Sequence, residues 1–256
     1  MDLEPVPDVP ALVASGERRH IIVADLHLGI EFALRRSGFT IPSQAPRMLD
    51  TLRALSSRGD HLVVLGDVKH RIPALGRRED AEIRRFLEGA LEAFRDVTVV
   101  AGNHDPGIGP ALPPGVAALS PQGVRIEDVG MVHGHVWPSE EVMASRTLVM
   151  AHIHPAVVFV DSIGTRTSEK CWLRARLKRK KVKERYAGCP AETIVVPAFN
   201  PLLTGTPVNI QGGTMLGPFF RNDLVDRSTY RVYLLDGTNI GRPKVHAEKR
   251  RTRRLR

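Results

Sequence analysis

The sequence of 256 residues is poor in cysteine and in aromatic residues, and it lacks any long run of apolar residues. Only Cys171 and Cys189 are present, which is too few for a disulfide framework, and they lack the paired spacing of a zinc site. We therefore expect two structural thiols in a reducing compartment. No apolar run approaches the roughly 20 residues that cross a bilayer, and residues 1–10 are rich in proline and acidic residues, unlike a signal peptide. These absences predict a globular cytoplasmic protein with no membrane partner.

The positive charge of the chain is concentrated in two segments. The net charge is +9, but residues 170–185 hold nine Lys or Arg against one acidic residue, and residues 242–256 hold eight against one. The remainder is therefore net acidic. Two such segments suit a polyanionic partner such as nucleic acid, while a solvated surface and a disordered tail explain them without any partner. We expect a single domain over residues 1–240 and a flexible basic tail over residues 241–256.

Within the first basic segment, residues 171–178 alternate between apolar and cationic side chains, as in a β-strand with two different faces. The apolar face carries Cys171, Leu173, Ala175 and Leu177. The opposite face carries the candidate nucleic-acid contacts Trp172, Arg174, Arg176 and Lys178. Cationic side chains suit a phosphate backbone and tryptophan suits a stacked base, so this face is a candidate binding surface.

Strands and helices alternate through the first part of the chain. Apolar β-type runs begin at residues 20, 61 and 97, and helical patterns at 43–59 and 77–96 lie between them. This order predicts neighbouring strands in a largely parallel sheet. Beyond residue 115 short strands follow one another with little helix between them, which predicts a second and more antiparallel sheet. No linker or internal repeat divides the chain.

Each of the three early apolar runs ends in residues that can bind a metal. Asp25 and His27 follow the first, Asp67 follows the second, and Gly-Asn-His-Asp follows the third at 102–105. Because the carboxyl ends of strands line one crevice in an open α/β sheet, we expect these side chains to converge. The segments "VHGH" (132–135) and "AHIHP" (151–155) again follow apolar runs. Carboxylate, amide and imidazole donors without a thiolate suit Mn²⁺, Fe or Zn²⁺.

Donors of this kind can hold two cations, and a centre of two cations is one means by which enzymes hydrolyse a phosphate ester. Two cations roughly 3.5 to 4 Å apart neutralise the phosphate and lower the pKa of a water between them, so that a hydroxide attacks the phosphorus. A carboxylate can bridge both cations, whereas an imidazole cannot. An imidazole with a pKa near neutrality can stabilise the transition state or protonate the leaving group.

The series D-x-H, G-D, G-N-H-D, H-G-H and (G/A)-H-x-H resembles the calcineurin-like metallophosphoesterase superfamily. Within that superfamily, "ADLHLGIE", "GFTIP", "GDVKH", "AHIHP" and "PAFNP" are most similar to the SbcD-related phosphoesterases of archaea and their bacterial PdeM relatives, which are linked with DNA repair. Two departures stand out. Ala151 replaces the usual Gly, and "GDVKHRI" lacks a second Asp found in many members.

The resemblance implies an α/β fold, a four-layer α-β-β-α sandwich of two mixed sheets flanked by helices. It also implies two divalent metal ions, with Mn²⁺ preferred and Fe, Zn²⁺ or Ni²⁺ as alternatives. By motif position, the first metal would be held by Asp25, His27, Asp67 and His154. The second would be held by Asn103, His133, His152 and the shared Asp67. His104 would act on the scissile phosphate, with Asp105 positioned to orient it.

A few further residues are candidates for substrate contact. Lys69 and His70 follow Asp67 and either contact the substrate phosphate or are exposed loop residues. His135 is a candidate substrate contact, and its alternatives are direct ligation of a metal and a supporting role behind the ligands. Asn200 is expected to form a turn at the rim of the site.

These observations predict a dinuclear metal-dependent phosphodiesterase. The leading hypothesis is a nuclease acting on DNA ahead of RNA in repair or processing, with DNA-repair proteins as partners. The enzymatic alternative is a phosphatase or phosphodiesterase for a small nucleotide-like substrate. The third hypothesis is a non-catalytic binding scaffold with the same fold, although such scaffolds usually lose ligands or the histidine that occupies position 104.

Overall fold

The computed structural model describes residues 1–71, 77–212 and 215–247, which form two sheets, six α-helices and one 3-10 helix. The strands of the first sheet are β1 (Asp2–Pro5), β2 (Leu12–Ser15), β3 (Arg19–Val23), β4 (His61–Leu65), β5 (Asp96–Val100) and β6 (Val116–Leu119). Those of the second are β7 (Val124–Ile126), β8 (Val129–Val132), β9 (Thr147–Met150), β10 (Pro155–Val160), β11 (Arg166–Leu177), β12 (Glu192–Val195), β13 (Thr206–Pro207), β14 (Val225–Leu234) and β15 (Asn239–Gly241). The helices are α1 (Ile30–Arg36), α2 (Ala45–Leu55), α3 (Arg77–Ala93), the 3-10 helix Gly109–Ala111, α4 (Glu140–Met143), α5 (Arg179–Val182) and α6 (Pro218–Arg221).

The first sheet follows the chain order from β1 to β6. Strands β3, β4, β5 and β6 are parallel, as the alternation of strands and helices predicts, so their carboxyl ends lie at one edge. Strands β1 and β2 add an antiparallel hairpin beside β3. The sequence patterns do not predict this hairpin, because the segment before residue 20 is short and interrupted by prolines.

Helices α2 and α3 cover the outer face of the first sheet. Met48 and Leu52 of α2 and Ile83 and Leu87 of α3 share one buried cluster with Ile21 of β3. These residues recur at helical spacing, so the apolar stripe of each helix faces the sheet. Both helices are shorter than their predicted ranges by a few residues at one or both ends.

The second sheet is mixed. Its main path is β13-β10-β11-β12-β9-β8-β7, and β14 pairs with β11 and carries β15. Strands β8, β9 and β12 run parallel, whereas β11 is antiparallel to β10, β12 and β14. Three four-residue helices, α4, α5 and α6, contribute buried side chains to the cluster on its outer face.

The inner faces of the two sheets pack against each other and form a third apolar layer. Ile22 and Val63 from the first sheet lie in this layer with Met131, Val149 and Trp172 from the second. The architecture is therefore an α/β fold of two mixed sheets with helices on their outer faces, which confirms the predicted fold class.

The predicted C-terminal tail is structured in the part that can be described. Gly241 ends β15, and the backbone of His246 pairs with Asn209 and Gln211 at 2.9 and 2.8 Å. Residues 241–247 therefore contact the domain, the flexibility of the tail stays a prediction, and residues 248–256 lie outside the described residues. Over the described ranges, every helix is too short or too polar to span a membrane.

Candidate metal centre

The metal-binding residues predicted from the sequence converge at one edge of the sandwich. Asp25 and His27 follow β3, Asp67 follows β4, His133 follows β8, and His152 follows β9. Strands β3 and β4 are parallel, and so are β8 and β9, so each pair of strands delivers its following residues to one edge. Both sheets therefore contribute side chains to a single cluster.

The first group of donors consists of Asp25, His27, Asp67 and His154, whose nitrogen and oxygen atoms lie within 4.8 Å of one another. His27 Nε2 lies 3.4 Å from Asp67 Oδ2, and His154 Nε2 lies 3.1 Å from Asp25 Oδ1. This is the set that motif position assigns to the first metal.

The second group consists of Asp67, His133 and His152. His133 Nε2 lies 3.4 Å from Asp67 Oδ2 and 3.2 Å from His152 Nδ1. Asn103 Oδ1 lies 3.1 Å from the same His133 nitrogen. Asp67 belongs to both groups, so it is placed to bridge two cations.

Several donor atoms in these groups have no hydrogen-bond partner within the described part of the protein, so divalent cations would satisfy them better than neighbouring side chains do. Among the described residues, both carboxylate oxygens of Asp25 and the Nε2 atoms of His27 and His154 are buried without a hydrogen-bond partner. Burying such atoms unpaired is costly. Imidazole and carboxylate donors at this spacing are ligands for ions such as Mn²⁺ or Zn²⁺. Their arrangement therefore favours two metal ions that share Asp67.

The backbone at the ligands adopts a conformation that L-residues avoid. Asp25, His27, Asp67, His152 and His154 have φ angles between 41° and 71°. Aspartate and histidine are among the residues that tolerate this left-handed region best, at a cost of order 1–3 kcal/mol each. The intervening Leu26 and Ile153 are buried, so each D-x-H or H-x-H turn anchors one apolar side chain and directs two donors to the cluster.

Two glycines allow the loops of the site to approach one another. A Cβ on Gly66 would lie 2.5 Å from His133 Nδ1, and a Cβ on Gly102 would lie 2.3 Å from both the amide nitrogen and Oδ1 of Asp67. Gly66 also has a positive φ of 72°. The glycines of the G-D and G-N-H-D motifs are therefore required by close contact at the centre itself.

Burial and neighbouring charges shift the pKa values of the donor side chains. Burial raises the pKa of Asp67, but hydrogen bonds and charges from His133 and His27 outweigh burial and hold this pKa far below its usual range. Burial opposes protonation of His133, yet the hydrogen bond and charge of Asp67 raise its pKa to about 9. Burial lowers the pKa of His152 to about 3. Asp67 is therefore an anion and His152 is neutral at pH 7, as metal ligands must be.

His104 lies outside both groups that contain Asp67, although its ring, with those of His27 and His70, forms a third set of donor atoms within 4.8 Å of one another. Its ring centroid is 4.7 Å from that of His27, and its amide donates to Asp67 Oδ1 at 2.8 Å. Its Nδ1 donates to the carbonyl of His70 at 2.5 Å, which leaves Nε2 for a substrate oxygen. This geometry suits the role predicted for His104 at the scissile phosphate.

His70 connects two functional histidines. Its Nδ1 lies 3.2 Å from His27 Nδ1, and burial lowers its pKa to about 4, so the ring is neutral and can accept a hydrogen bond from the Nδ1–H group of His27. That hydrogen bond leaves His27 Nε2 free for a metal. The carbonyl of His70 fixes the ring of His104 in the same way. His70 is neither a simple substrate contact nor a free loop residue, because it orients a ligand and a candidate catalytic group.

The contacts of the Asp105 side chain differ from those that its predicted role implies. Its buried carboxylate accepts backbone N–H groups and does not contact the ring of His104: Oδ2 accepts from Asp67 at 2.9 Å and Gly102 at 2.7 Å, and Oδ1 accepts from Val68 at 2.9 Å and Lys69 at 3.4 Å. Burial raises the pKa of this carboxyl, while the amides favour its charged form. Asp105 therefore holds the loop after β4 against the loop after β5.

Lys69 and His135 lie at the site but differ from simple substrate contacts. The Lys69 residue is 0% exposed and Nζ donates to the carbonyl of Arg71 at 2.6 Å, so the alternative of an exposed loop residue is wrong, and contact with the substrate phosphate stays a prediction. His135 is half-buried, with its ring 5.2 Å from that of His133. Burial lowers the pKa of His135 to about 4, so it is a neutral group behind the ligands.

The basic strand β11 has two buried faces over part of its length, which corrects the predicted exposure of Trp172. Trp172 is only 2% exposed and lies in the layer between the sheets, so it cannot stack on a base. Arg174 donates to both carboxylate oxygens of Glu192, at 2.9 and 2.5 Å, and Lys178 pairs with Asp223 at 2.7 Å. Arg176 is exposed, and its nucleic-acid role stays a prediction, as do those of Arg174 and Lys178.

Two residues outside the predicted ligand set support the first donor group. Asn200 is 0% exposed, and its Nδ2 donates to the carbonyl of Leu26 at 2.7 Å, between Asp25 and His27. Its Oδ1 accepts from Leu202 at 2.9 Å, which is the predicted turn. Lys170 Nζ donates to the carbonyls of Ala198 and Asn200, and burial lowers its pKa to about 8. In the sequence, the only signal for this support is an asparagine before proline in "PAFNP".

The fold and the two donor groups define a class of protein, the metal-dependent phosphoesterases. The family model "Metallophos: Calcineurin-like phosphoesterase" matches residues 19–207, and the chain belongs to this family. Family membership confirms the prediction of a metal-dependent phosphoesterase. No curated protein matches the chain.

Solved structures with a similar fold include a nuclease. The nuclease MPE of Pseudomonas putida is 19% identical, with a TM-score of 0.53 over 92% of this chain and 98% of that chain. The phosphoesterase Yfce of E. coli is 18% identical, with a TM-score of 0.37 over 87% of this chain and 96% of that chain. At this level of identity the likeness to the nuclease concerns the fold.

Proposed function

We propose that this phosphoesterase is a nuclease that hydrolyses phosphodiester bonds in DNA ahead of RNA, with Mn²⁺ as the preferred metal. The observation that carries the proposal is the pair of donor groups that share Asp67, with His104 directly beside them. We place the protein in the SbcD-related and PdeM-like subgroup, with DNA repair or processing as its role and repair proteins as partners. The structurally similar protein from Pseudomonas putida is a nuclease, which agrees with this proposal.

The residues of the chain divide the work of hydrolysis. When bound, two divalent ions would neutralise the phosphate and lower the pKa of a water molecule. Asp67 is held as an anion between the two groups, and Asn103 contributes a neutral oxygen to the second. His104, with Nδ1 bonded to the His70 carbonyl, presents Nε2 to stabilise the phosphate or to protonate the leaving alkoxide. The same geometry could hydrolyse any phosphodiester. We therefore base the proposal of a nucleic-acid substrate on the cationic residues Arg174, Arg176 and Lys178.

The test is a panel of substrates with one preparation of protein. The protein is incubated with Mn²⁺, Mg²⁺, Zn²⁺ or Ni²⁺ and with labelled single-stranded and double-stranded DNA and RNA oligonucleotides, alongside a bis-aryl phosphodiester. We expect cleavage of DNA with Mn²⁺ and none in EDTA. If only the aryl ester and free nucleotides are hydrolysed, the small-substrate alternative replaces the nuclease. Turnover in excess EDTA by the dialysed protein would remove the two-metal centre from the reaction.

A further inference from the structure

A groove rich in arginine lies where β11, β14 and β15 meet. It has a volume of about 540 Å³, and its lining includes Arg174, Arg176, Arg231, Arg242 and Tyr233, with Glu192 as its one carboxylate. Arg231 and Arg242 lie outside the basic strand itself, on β14 and directly after β15. The groove therefore gathers cations from three separate parts of the chain.

The charges in this groove are compensated only in part, because Arg174 pairs with Glu192 and Arg176 lies opposite Asp226, whereas Arg231 lies opposite another arginine. Arg174 and Arg231 lie directly opposite each other across β11 and β14, and like charges in that position destabilise a strand pair. Glu192 is engaged by Arg174 through both of its oxygens. Within residues 1–71, 77–212 and 215–247, Arg176, Arg231 and Arg242 form no ion pair. An anion in the groove would relieve this repulsion.

The chemistry of the groove suits phosphodiester groups. Guanidinium groups bind phosphate oxygens through planar pairs of N–H donors, and a neighbouring tyrosine ring offers a surface for a base. Tyr233 is half-buried opposite Trp172, so its ring is held in place beside the arginines. An extended polyanion matches several arginines spread along strands better than a single small phosphate does.

The strand register places the groove at a defined distance from the metal centre. Arg174 of β11 pairs with Ile194 of β12, and Ile194 pairs with Val149 of β9. Val149 is three residues before His152. Because β9 ends at Met150, three residues of chain and two strand spacings place the Cα atoms of Arg174 and His152 at most roughly 14 Å apart. At about 3.4 Å per nucleotide along a strand, that distance spans about four nucleotides.

We propose that this groove is a second nucleic-acid site, which binds the phosphodiester backbone about four nucleotides from the bond that the metal centre cuts. This inference rests on the proposed nuclease function and adds a substrate requirement to it. Oligonucleotides long enough to reach the groove bind more tightly than shorter ones, whereas hydrolysis of a small phosphodiester does not depend on the groove.

The test uses two charge-reversal double variants with equal changes in charge. Arg231→Glu with Arg242→Glu alters the groove, and Arg18→Glu with Arg95→Glu is the matched control at the opposite edge of the first sheet, where both arginines are exposed. Binding of fluorescent single strands of 3 to 15 nucleotides is measured by anisotropy against salt, with Mn²⁺ and in the His104→Ala background so that cleavage is slow. Hydrolysis of a bis-aryl phosphodiester is measured without the His104 change.

We expect the groove variant to bind the longer strands roughly tenfold more weakly at moderate salt, with a salt slope smaller by about 1.4 for two lost phosphate contacts. Binding of the shortest strands and hydrolysis of the aryl ester should match the control. If both double variants bind long strands equally well, the groove proposal is wrong while the nuclease function stands. If the parent neither binds nor cuts any oligonucleotide, the nuclease function itself is wrong, and the groove proposal is lost with it.

Discussion

Replacement of Asp105 by asparagine tests whether this residue stabilises the loops of the site or orients His104. The carboxylate accepts four buried backbone N–H groups, from Gly102, Asp67, Val68 and Lys69. Asparagine keeps one acceptor oxygen but turns an NH2 group toward the other two donors. Each buried donor left without an acceptor costs about 1–3 kcal/mol, so Asp105→Asn should destabilise the fold by roughly 2–6 kcal/mol.

That loss is large beside a total stability of about 5–15 kcal/mol for a typical domain. The displaced amide of Asp67 also belongs to the residue shared by both donor groups, so we expect weaker metal binding together with the lower stability. The assays are urea denaturation of the metal-free protein and metal content after gel filtration. Asp236→Asn, at an exposed carboxylate that accepts from Thr238, is the control for the change in charge and should have little effect.

The opposite pattern would refute this reasoning. If Asp105→Asn retains the stability and metal content of the parent and changes only turnover and its pH profile, then Asp105 acts through His104, as the sequence alone predicts. Loss of stability without loss of metal would mean that the Asp67 loop is held by other contacts, such as the bond from His27 to the Asp67 carbonyl.

Four further outcomes follow from the geometry of the centre. Asp67→Asn should abolish activity and lower metal content at both positions, and a variant that retains two equivalents of metal would contradict the bridging role. His104→Ala should lower turnover by roughly 10²–10⁴-fold with metal content unchanged, and loss of a full equivalent of metal would show that His104 is a ligand. His70→Ala should weaken metal binding by about 10–100-fold and also reduce turnover, because it frees both His27 and His104; unchanged metal affinity would contradict that role. Because the pKa of His133 is raised to about 9, a metal must displace its proton, so Mn²⁺ affinity measured by calorimetry should rise with pH from 6 to 9; a flat profile would contradict this assignment.

The convergence of the ligands could be predicted from the sequence because it depends on topology. Residues that follow parallel strands must meet at one edge, and Asp25, Asp67 and His152 each follow such a strand. The amide-accepting role of Asp105 could not be predicted, because its four donors come from two loops whose approach is set by Gly66 and Gly102. The same holds for Asn200, whose partner Leu26 lies 174 residues away in the chain.

The predicted exposure of Trp172 is wrong for a different physical reason. Alternation along a strand shows that its side chains point to two faces, but it does not show which faces are covered. In a sandwich both faces of a strand can be buried, and Trp172 lies under the first sheet while Arg176 lies beyond its cover. The cationic residues on this strand therefore lie where the first sheet no longer covers its inner face.

The apolar layer between the sheets acts as a spacer for the metal centre. Ala24 and Ala151 lie in this layer, directly before Asp25 and His152, and each donor group combines ligands from both sheets. A larger side chain at either alanine would push the sheets apart and lengthen the gap between the ligands of the first sheet, such as Asp25 and Asp67, and those of the second, such as His152 and His154. The preference of this enzyme for one metal ion over another can therefore drift through core substitutions that leave every ligand unchanged.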